Sequence, residues 1–275
     1  GIFHRSISRE AKRMNWSRVV AIIVKNWYSF KRDFFRIFDI FWWPSFMLFI
    51  WGLLSVYLTQ NAVGKPNFVT ILLGGVILWN TFDHATRDVS RTFIEEVWDR
   101  NLTNFFSTPL TLTEYLVGVL TIAIAKSIVG ALFMLLLARL FYAFDPMQLS
   151  WFLVVGLVSL VLTGWLISLV IQAIILRYGH TVEVFIWAVA ILLQPFSCVF
   201  YPLSTLPGWA QRIAYVLPTT YIFENMRSMI FTGTIRVDQI VLSYGLNFLY
   251  GVGAIVFFYR TFRVAKEKGL LVKYY

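Results

Sequence analysis

The stretch PMQLSWFLVVGLVSLVLTGWLISLVIQAIIL, residues 146–176, contains no Asp, Glu, Lys or Arg. A helix of about 20 residues crosses the roughly 30 Å hydrocarbon core of a bilayer, so this stretch is long enough to span a membrane. Three more uncharged stretches of spanning length occur at residues 40–64, 184–211 and 239–259. Together they predict an all-α polytopic membrane protein.

The overall composition excludes a soluble protein with a charged surface. Of the 275 residues, 59% are apolar and only 14% are charged, and the mean hydropathy is +0.70. The net charge of +10 is typical of basic residues that flank membrane spans, so we expect no nucleic-acid partner. The single cysteine, Cys198, excludes an intramolecular disulfide and a Cys-rich metal site.

Six membrane spans are predicted in total. Two lie outside the uncharged stretches: one starts at Phe68 and first meets charge at Asp83, and the other starts after Pro109, where Thr111 and Glu114 have capping-box spacing. The predicted spans are residues 40–58, 68–90, 113–142, 149–176, 184–201 and 239–259.

A basic segment and an amphipathic segment precede the first span. Residues 1–13 lack the apolar core of a secretory signal, and we expect them to be an extension ahead of a single transmembrane domain, residues 14–275. From Asn15 onward, apolar residues recur at helical spacing with basic residues between them. This pattern predicts an amphipathic helix in the membrane interface.

Lys and Arg are distributed unequally between the two sides of the predicted topology. Eighteen of the 24 fall on the side of both termini, and four fall on the other side. Because basic residues concentrate in cytoplasmic segments, both termini are predicted to be cytoplasmic and the membrane to be the cytoplasmic (inner) membrane.

Residues 91–108, RTFIEEVWDRNLTNFFST, join the second and third spans on the predicted cytoplasmic side. At helical spacing the segment has an apolar and a polar face. The apolar face includes Trp98, Phe105 and Phe106, and the polar face includes Glu95, Glu96, Asp99 and Arg100. Two interpretations remain open: a helix that lies on lipid, or a docking helix for a cytoplasmic partner, which acidic residues suit better than anionic headgroups do.

The external segment after the fifth span, residues 200–233, is apolar and aromatic but is interrupted by Pro202, Pro207 and Pro218. This pattern predicts short re-entrant helices packed against protein. Glu224 and Arg227 are three residues apart and are predicted to form a structural pair.

Catalytic motifs are not found in the sequence. The Gly-Lys pair at Gly64 and Lys65 has Thr59 and Pro66 where a phosphate-binding loop needs glycine and Ser or Thr. The three histidines are too scattered for a metal motif. We therefore expect no catalytic residue, no metal and no cofactor bound by this chain, and ATP hydrolysis, if used, by a partner.

Ionisable and aromatic residues near the spans are candidates for a substrate path. Lys126 is predicted near mid-bilayer, where it either faces the path or forms a buried pair with Asp83 or Asp39. Asp83 fits a polar cavity or internal pairing equally well. The remaining candidates, Trp79, Tyr201 and Tyr215, either line the path or anchor the interface.

The sequence resembles the permease subunits of type-2 ABC transporters (ABC-2 type exporters) over nearly its whole length. The motifs that carry the resemblance are Trp43-Pro44, the stretch from Glu95 to Leu102 followed by Ser107-Thr108-Pro109-Leu110, Tyr201-Pro202, Leu206-Pro207-Gly208-Trp209, Leu217-Pro218 and Met226-Arg227. Asp99-Arg100-Asn101-Leu102 replaces the Glu-x-Gly-Thr-Leu form common in the family.

The resemblance implies a permease dimer served by two cytoplasmic ATPase subunits that bind ATP and Mg. With separate ATPase subunits, residues 91–108 are predicted to be the coupling helix, because they join the second and third spans directly. The aromatic residues near the spans favour an amphipathic small molecule or a lipid as the cargo. Two alternatives remain: export of a lipid-linked glycan or polysaccharide, and a membrane-embedded enzyme or scaffold without transport.

Overall fold

The computed structural model describes residues 14–61, 68–98 and 108–267, and every regular element in these ranges is helical. The α-helices in the described ranges are α1 (Trp16–Arg32), α2 (Phe34–Asn61), α3 (Phe68–Trp98), α4 (Leu112–Tyr142), α5 (Phe152–Tyr178), α6 (Val184–Leu193), α7 (Gly208–Tyr215), α8 (Pro218–Thr232) and α9 (Val237–Glu267). Five of them, α2, α3, α4, α5 and α9, are long and apolar enough to cross a membrane.

A short polar side chain precedes each of the first two helices, Asn15 before α1 and Asp33 before α2. The Asn15 side chain accepts a hydrogen bond from the Ser17 N–H and caps α1. Asp33 stands alone between the helices, where its Oδ1 accepts from the Phe35 N–H at 3.0 Å. Because Asp33 starts α2 well before the uncharged stretch, Pro44 lies inside the helix.

Helix α4 begins where the sequence predicted. The Thr111 hydroxyl accepts from the Glu114 N–H, and the Glu114 carboxylate accepts from the Thr111 N–H, so both bonds of the capping box are present. Glu114 also accepts from the Asn15 N–H at 2.7 Å. The same carboxylate therefore starts α4 and fixes the beginning of α1 beside it.

Helix α3 is the central element. In its most apolar stretch of 18 residues 78% is buried, against 17% in the corresponding stretch of α2. Its backbone approaches α5 closely at Gly164, where an added Cβ would lie 2.9 Å from the Phe82 carbonyl oxygen. One turn further along, the Ser90 and Ser168 hydroxyls are 2.8 Å apart. Small residues and interhelical hydrogen bonds of this kind replace the hydrophobic effect as the source of helix association within a membrane.

Helix α9 is joined to α5 by buried polar side chains. The Ser159 and Ser243 hydroxyls are 2.8 Å apart, and the Thr163 hydroxyl donates to Asn247 Oδ1 at 2.8 Å. Ser243 also donates to the Pro218 carbonyl oxygen. The first residue of α8 is thereby attached to the interface between α5 and α9.

The predicted fifth span, residues 184–201, is not one continuous helix. Helix α6 ends at Leu193 after ten residues, a length of about 15 Å, or half of a bilayer core. Pro195 has no N–H to continue the helical ladder, and Cys198 has a φ of 55°, in the left-handed region. The chain therefore continues from residue 194 in turns.

The predicted separate helix at residues 91–108 is also corrected in its first half. Residues 91–98 are the last turns of α3, because the sequence holds no Pro or Gly between Asp83 and Trp98. The i,i+4 ion pairs Asp83–Arg87 and Arg91–Glu95 also support a continuous helix. Residues 99–107 lie outside the described residues.

Adding one methyl group at Gly164 should force α3 and α5 apart. Overpacking of this kind typically costs about 1–3 kcal/mol, so we expect Gly164→Ala to lower the unfolding temperature in detergent. Gly253→Ala is the matched control, since nothing lies within 4 Å of its added Cβ. A Gly164→Ala protein as stable as the Gly253→Ala protein would contradict the close packing.

Candidate functional site

Charged residues on the second half of α3 meet four other helices around a small pocket. The pocket has a volume of about 40 Å³ and is lined by residues of α1, α2, α3, α4 and α6. The ionisable residues that line it are Arg36, Asp39, His84, Arg87, Asp88, Arg91, Glu95 and Lys126. We call this arrangement the charged pocket.

Lys126 is paired, but its partner is neither Asp83 nor Asp39. Its Nζ lies 2.8 Å from Asp88 Oδ1 and 3.1 Å from Asp88 Oδ2. The ammonium also lies 5.0 Å from the centre of the Phe30 ring at the end of α1. The register between α3 and α4 selects Asp88, and that register is not visible in the spacing of residues along the sequence.

Asp83 forms an ion pair with Arg87 one turn along α3. The Arg87 guanidinium stands 5.0 Å from the centre of the Trp187 ring on α6. Arg87 Nε and His84 Nε2 are buried and have no hydrogen-bond partner among the described residues. The charged pocket thus contains two buried polar nitrogens whose hydrogen-bonding capacity is unused.

Glu95 and Glu96, predicted on the polar face of the cytoplasmic segment, make ion pairs with the N-terminal helices. Arg36 Nη2 of α2 lies 2.7 Å from Glu95 Oε2. Lys25 of α1 donates to Glu96, and only 4% of Glu96 is exposed. The sequence could not indicate these pairs, because Lys25 and Glu96 are 71 residues apart.

The remaining sequence candidates do not gather at the charged pocket. Trp79 is buried in the apolar core, with its ring 4.7 Å from that of Phe82. Tyr201 and Tyr215 lie on the segment between α6 and α8, where the Tyr201 hydroxyl donates to the Pro195 carbonyl oxygen. Trp98 ends α3. The candidates Asp99, Arg100, Phe105 and Phe106 lie outside the described residues.

The Glu224 and Arg227 side chains pair on α8, as their spacing predicted, at 2.7 Å. The same Glu224 oxygen accepts from the Leu203 N–H at 2.7 Å, and Arg227 donates to the Val199 carbonyl oxygen at 3.4 Å. Together they hold the turns that follow α6 against α8. Burial raises the pKa of the nearby Tyr221 phenol, which keeps its proton and donates to a backbone carbonyl.

A metal site is not formed by the described part of the chain. No group of three or more His, Cys, Asp or Glu side chains in residues 14–61, 68–98 and 108–267 is arranged to hold an ion. The carboxylates of the charged pocket are instead matched by arginine and lysine.

The fold and the charged pocket define the class of protein, which is a multi-pass helical membrane protein with a polar site between its helices. The sequence matches the ABC-2 type transporter family over residues 18–231. The chain therefore belongs to the ABC-2 type transporter family and is an ABC-type transport permease. Comparison with curated proteins finds no matching relative. The family match runs from α1 to α8 and includes the charged pocket and the Glu224–Arg227 pair.

Replacing Lys126 by Met should destabilise the protein, because it leaves Asp88 without its ammonium partner in a largely buried place. Breaking a fully buried pair costs about 3–5 kcal/mol, and the partial exposure of both side chains reduces that cost. We expect a lower unfolding temperature for Lys126→Met, and recovery in the Lys126→Met/Asp88→Asn double variant. Equal unfolding temperatures for the single variant and the native protein would contradict a stabilising pair.

Proposed function

We propose that the chain is the permease subunit of an ATP-driven exporter, which moves an amphipathic small molecule or lipid outward as a dimer with two separate ATPase subunits. The family match over residues 18–231 carries this proposal. The sequence lacks a phosphate-binding loop of its own, so ATP and Mg would bind to the partner subunits. An enzyme or scaffold without transport is the less favoured alternative.

A sixth membrane passage is supported by two contacts along α3. Trp187 on α6 lies beside Arg87, whereas the Val199 carbonyl oxygen lies 3.0 Å from the position of a Cβ on Gly75. These two places on α3 are twelve residues apart, or about 18 Å. The chain from α6 to residue 199 therefore runs along α3 over about this distance. It packs against protein there, and non-helical backbone is tolerated at membrane depth where it is buried in protein.

We propose that the two ends of the bundle lie on opposite sides of the membrane, with the termini on the cytoplasmic side. The last helix begins beside α8, where Asn225 donates to the Arg236 carbonyl oxygen, and ends beside α4, where the Tyr259 and Thr113 hydroxyls are 2.7 Å apart. The excess of Lys and Arg lies at the end of α4 where Thr113 is found. This bias supports cytoplasmic termini in the inner membrane, with α7 and α8 as re-entrant external helices.

In this proposal the charged pocket lies near the cytoplasmic boundary of the membrane, which the lengths of α3 and α4 support. Each helix has 31 residues, or about 46 Å, which exceeds a hydrocarbon core of about 30 Å. The first turns of α4 lie beside α1, with Gly118 against Ile22 and Lys126 beside Phe30. If α1 is interfacial, as its exposed Trp16 and Trp27 favour, Lys126 stands close to the headgroups and not at mid-bilayer.

A second copy of the chain would enclose the transport route. Helix α2 is weakly buried and exposes a row of aromatic residues, Trp42, Trp43, Phe46 and Phe49. In this proposal Lys126 and Asp83 stand at the cytoplasmic entrance, and Tyr201 and Tyr215 at the exit. Trp79 lies in the apolar core behind the residues that would line the route. The exposed indole and phenol rings also suit sugars by stacking, which keeps a lipid-linked glycan as the second candidate cargo.

Residues 91–108 are proposed to couple the ATPases to the spans. Because α3 continues unbroken to Trp98, a force applied there would move the central helix directly. Glu95 and Glu96 already bind α2 and α1, so they would pass the movement to the N-terminal helices. Direct contact with the ATPase then falls to Trp98, Asp99, Arg100, Phe105 and Phe106, since aromatic and arginine side chains dominate such contacts.

Trp98→Ala should reduce the amount of ATPase that co-purifies with the permease and uncouple ATP hydrolysis from transport. Hot-spot tryptophans typically contribute at least about 2 kcal/mol, so we expect a loss of tenfold or more in ATPase affinity. Trp151→Ala, at the exposed start of α5 on the opposite side, is the matched control. Full ATPase binding and transport in both variants would exclude the coupling role of Trp98.

A stable permease with no associated ATPase in any preparation would contradict the export proposal itself. Where an ATPase is bound, its stimulation by amphiphiles or by lipid-linked glycans distinguishes the two candidate cargoes.

A further inference from the structure

We infer that the charged pocket binds the phosphate headgroup of an amphiphile presented from the cytoplasmic leaflet. This inference rests on the proposed export of an amphipathic molecule and assigns the chemistry of its polar end. It is carried by the unused donors of the lining, the size of the pocket and the apolar surface beside it.

The lining of the charged pocket supplies cations of the kind that bind phosphate. Arg36, Arg87, Arg91 and Lys126 line it together with Asp39, Asp88 and Glu95, while Asp33 pairs with Arg36 and Asp83 pairs with Arg87. Because the charges are balanced, an anion would bind through the donors that these pairs leave unused, at a partly enclosed site where charge interactions are screened less than in water. Arginine is also suited to phosphate by its planar fork of donors.

One buried donor in the pocket is ready to receive the anion, and a second buried nitrogen beside it has no partner among the described residues. The Arg87 guanidinium is held by Asp83 and by the Trp187 ring, which leaves its buried Nε without a hydrogen-bond partner among the described residues. His84 Nε2 is buried and unpaired in the same part of the chain. A phosphate oxygen would satisfy donors that are otherwise costly to bury.

Arg91 can join them through its Nη groups. Its Nε donates to Glu95 Oε1 at 3.3 Å, whereas its Nη1 stands 3.9 Å from Asp39 Oδ2, beyond hydrogen-bond distance. Because 45% of the side chain is exposed, the Nη groups can turn toward a bound headgroup while Nε keeps its bond to Glu95.

The rings of the pocket argue against a cationic headgroup. Phe30 and Trp187 would suit a quaternary ammonium, but Lys126 and Arg87 already stand over them. A cationic ligand would have to displace these side chains from both the rings and their carboxylate partners.

The size of the pocket and its neighbouring surface fit an amphiphile. A volume of about 40 Å³ holds about three water molecules, which the free oxygens of one phosphate group would replace. Ile40 and Trp187 line the pocket, and α6 exposes Val184 and Ile191 beside it. An alkyl chain attached to the phosphate can therefore lie along α6.

The test measures equilibrium binding of radiolabelled dodecyl phosphate to the full chain in maltoside micelles, with dodecyltrimethylammonium and inorganic phosphate as comparison ligands. The Asp83→Asn/Arg87→Gln double variant removes the donor without leaving an unpaired charge, and Arg87→Lys keeps the charge but removes Nε. The control is Arg236→Gln/Asp238→Asn, which neutralises an exposed pair 3.5 Å apart outside the pocket.

We expect the double variant to weaken dodecyl phosphate binding by about tenfold or more, which is the usual effect of losing a charge-assisted hydrogen bond. Arg87→Lys should weaken it by a smaller factor, and the control should bind like the native protein. Unchanged binding by the double variant overturns the inference. If the double variant does not fold, unchanged dodecyl phosphate binding by Arg87→Lys overturns the inference, and weaker binding supports it.

The comparison ligands separate the possible sources of the anion. Dodecyltrimethylammonium binding as tight as dodecyl phosphate overturns the phosphate assignment, and equally tight inorganic phosphate overturns the amphiphile assignment. Because binding is measured without ATP or ATPase, the outcome is independent of the proposed export. Specific binding by a chain that has no ATPase partner would retain the site and reject export, whereas coupled transport without this binding would reject only the site.

Discussion

The charged half of α3 must find its partners inside the protein, and the arrangement of the N-terminal helices depends on this requirement. An unpaired ionisable side chain near a bilayer is costly, and α3 has several within four turns. The pairs that satisfy them are Asp83–Arg87, Asp88–Lys126, Glu95–Arg36 and Glu96–Lys25. Three of these four pairs cross to another helix, so α1, α2 and α4 are held against one end of α3 by charge.

The other half of α3 is held by close apolar packing. Met226 of α8 packs on Gly74 near the start of α3, and the Val199 carbonyl oxygen lies 3.0 Å from the position of a Cβ on Gly75. Ion pairs tolerate rearrangement more readily than a close-packed core does, because their partners can be exchanged, whereas packed interiors resist deformation. The charged half of α3 can therefore rearrange more readily than the half that is packed against Met226 and Val199.

Features that depend on local sequence could be predicted, and features set by the register between helices could not. The capping box at Thr111 and Glu114 fixed the start of α4 from four residues, and long uncharged runs indicated the main spans. The pairing of Lys126 with Asp88, and of Glu96 with Lys25, requires knowing which faces meet. The shortening of α6 came from Pro195 and the left-handed Cys198, whose effect on an otherwise apolar run was not visible in its hydropathy.

The central claim is that the charged pocket and the α7–α8 segment lie on opposite sides of one membrane, with a sixth passage between them. Thiol labelling of intact cells tests it most directly, in a Cys198→Ser background that carries one new cysteine at Tyr28, Tyr178 or Trp209, all of which are exposed. A membrane-impermeant maleimide should label Trp209→Cys from outside and should label Tyr28→Cys and Tyr178→Cys only after permeabilisation. Labelling of Tyr178→Cys and Trp209→Cys from the same side would contradict the sixth passage.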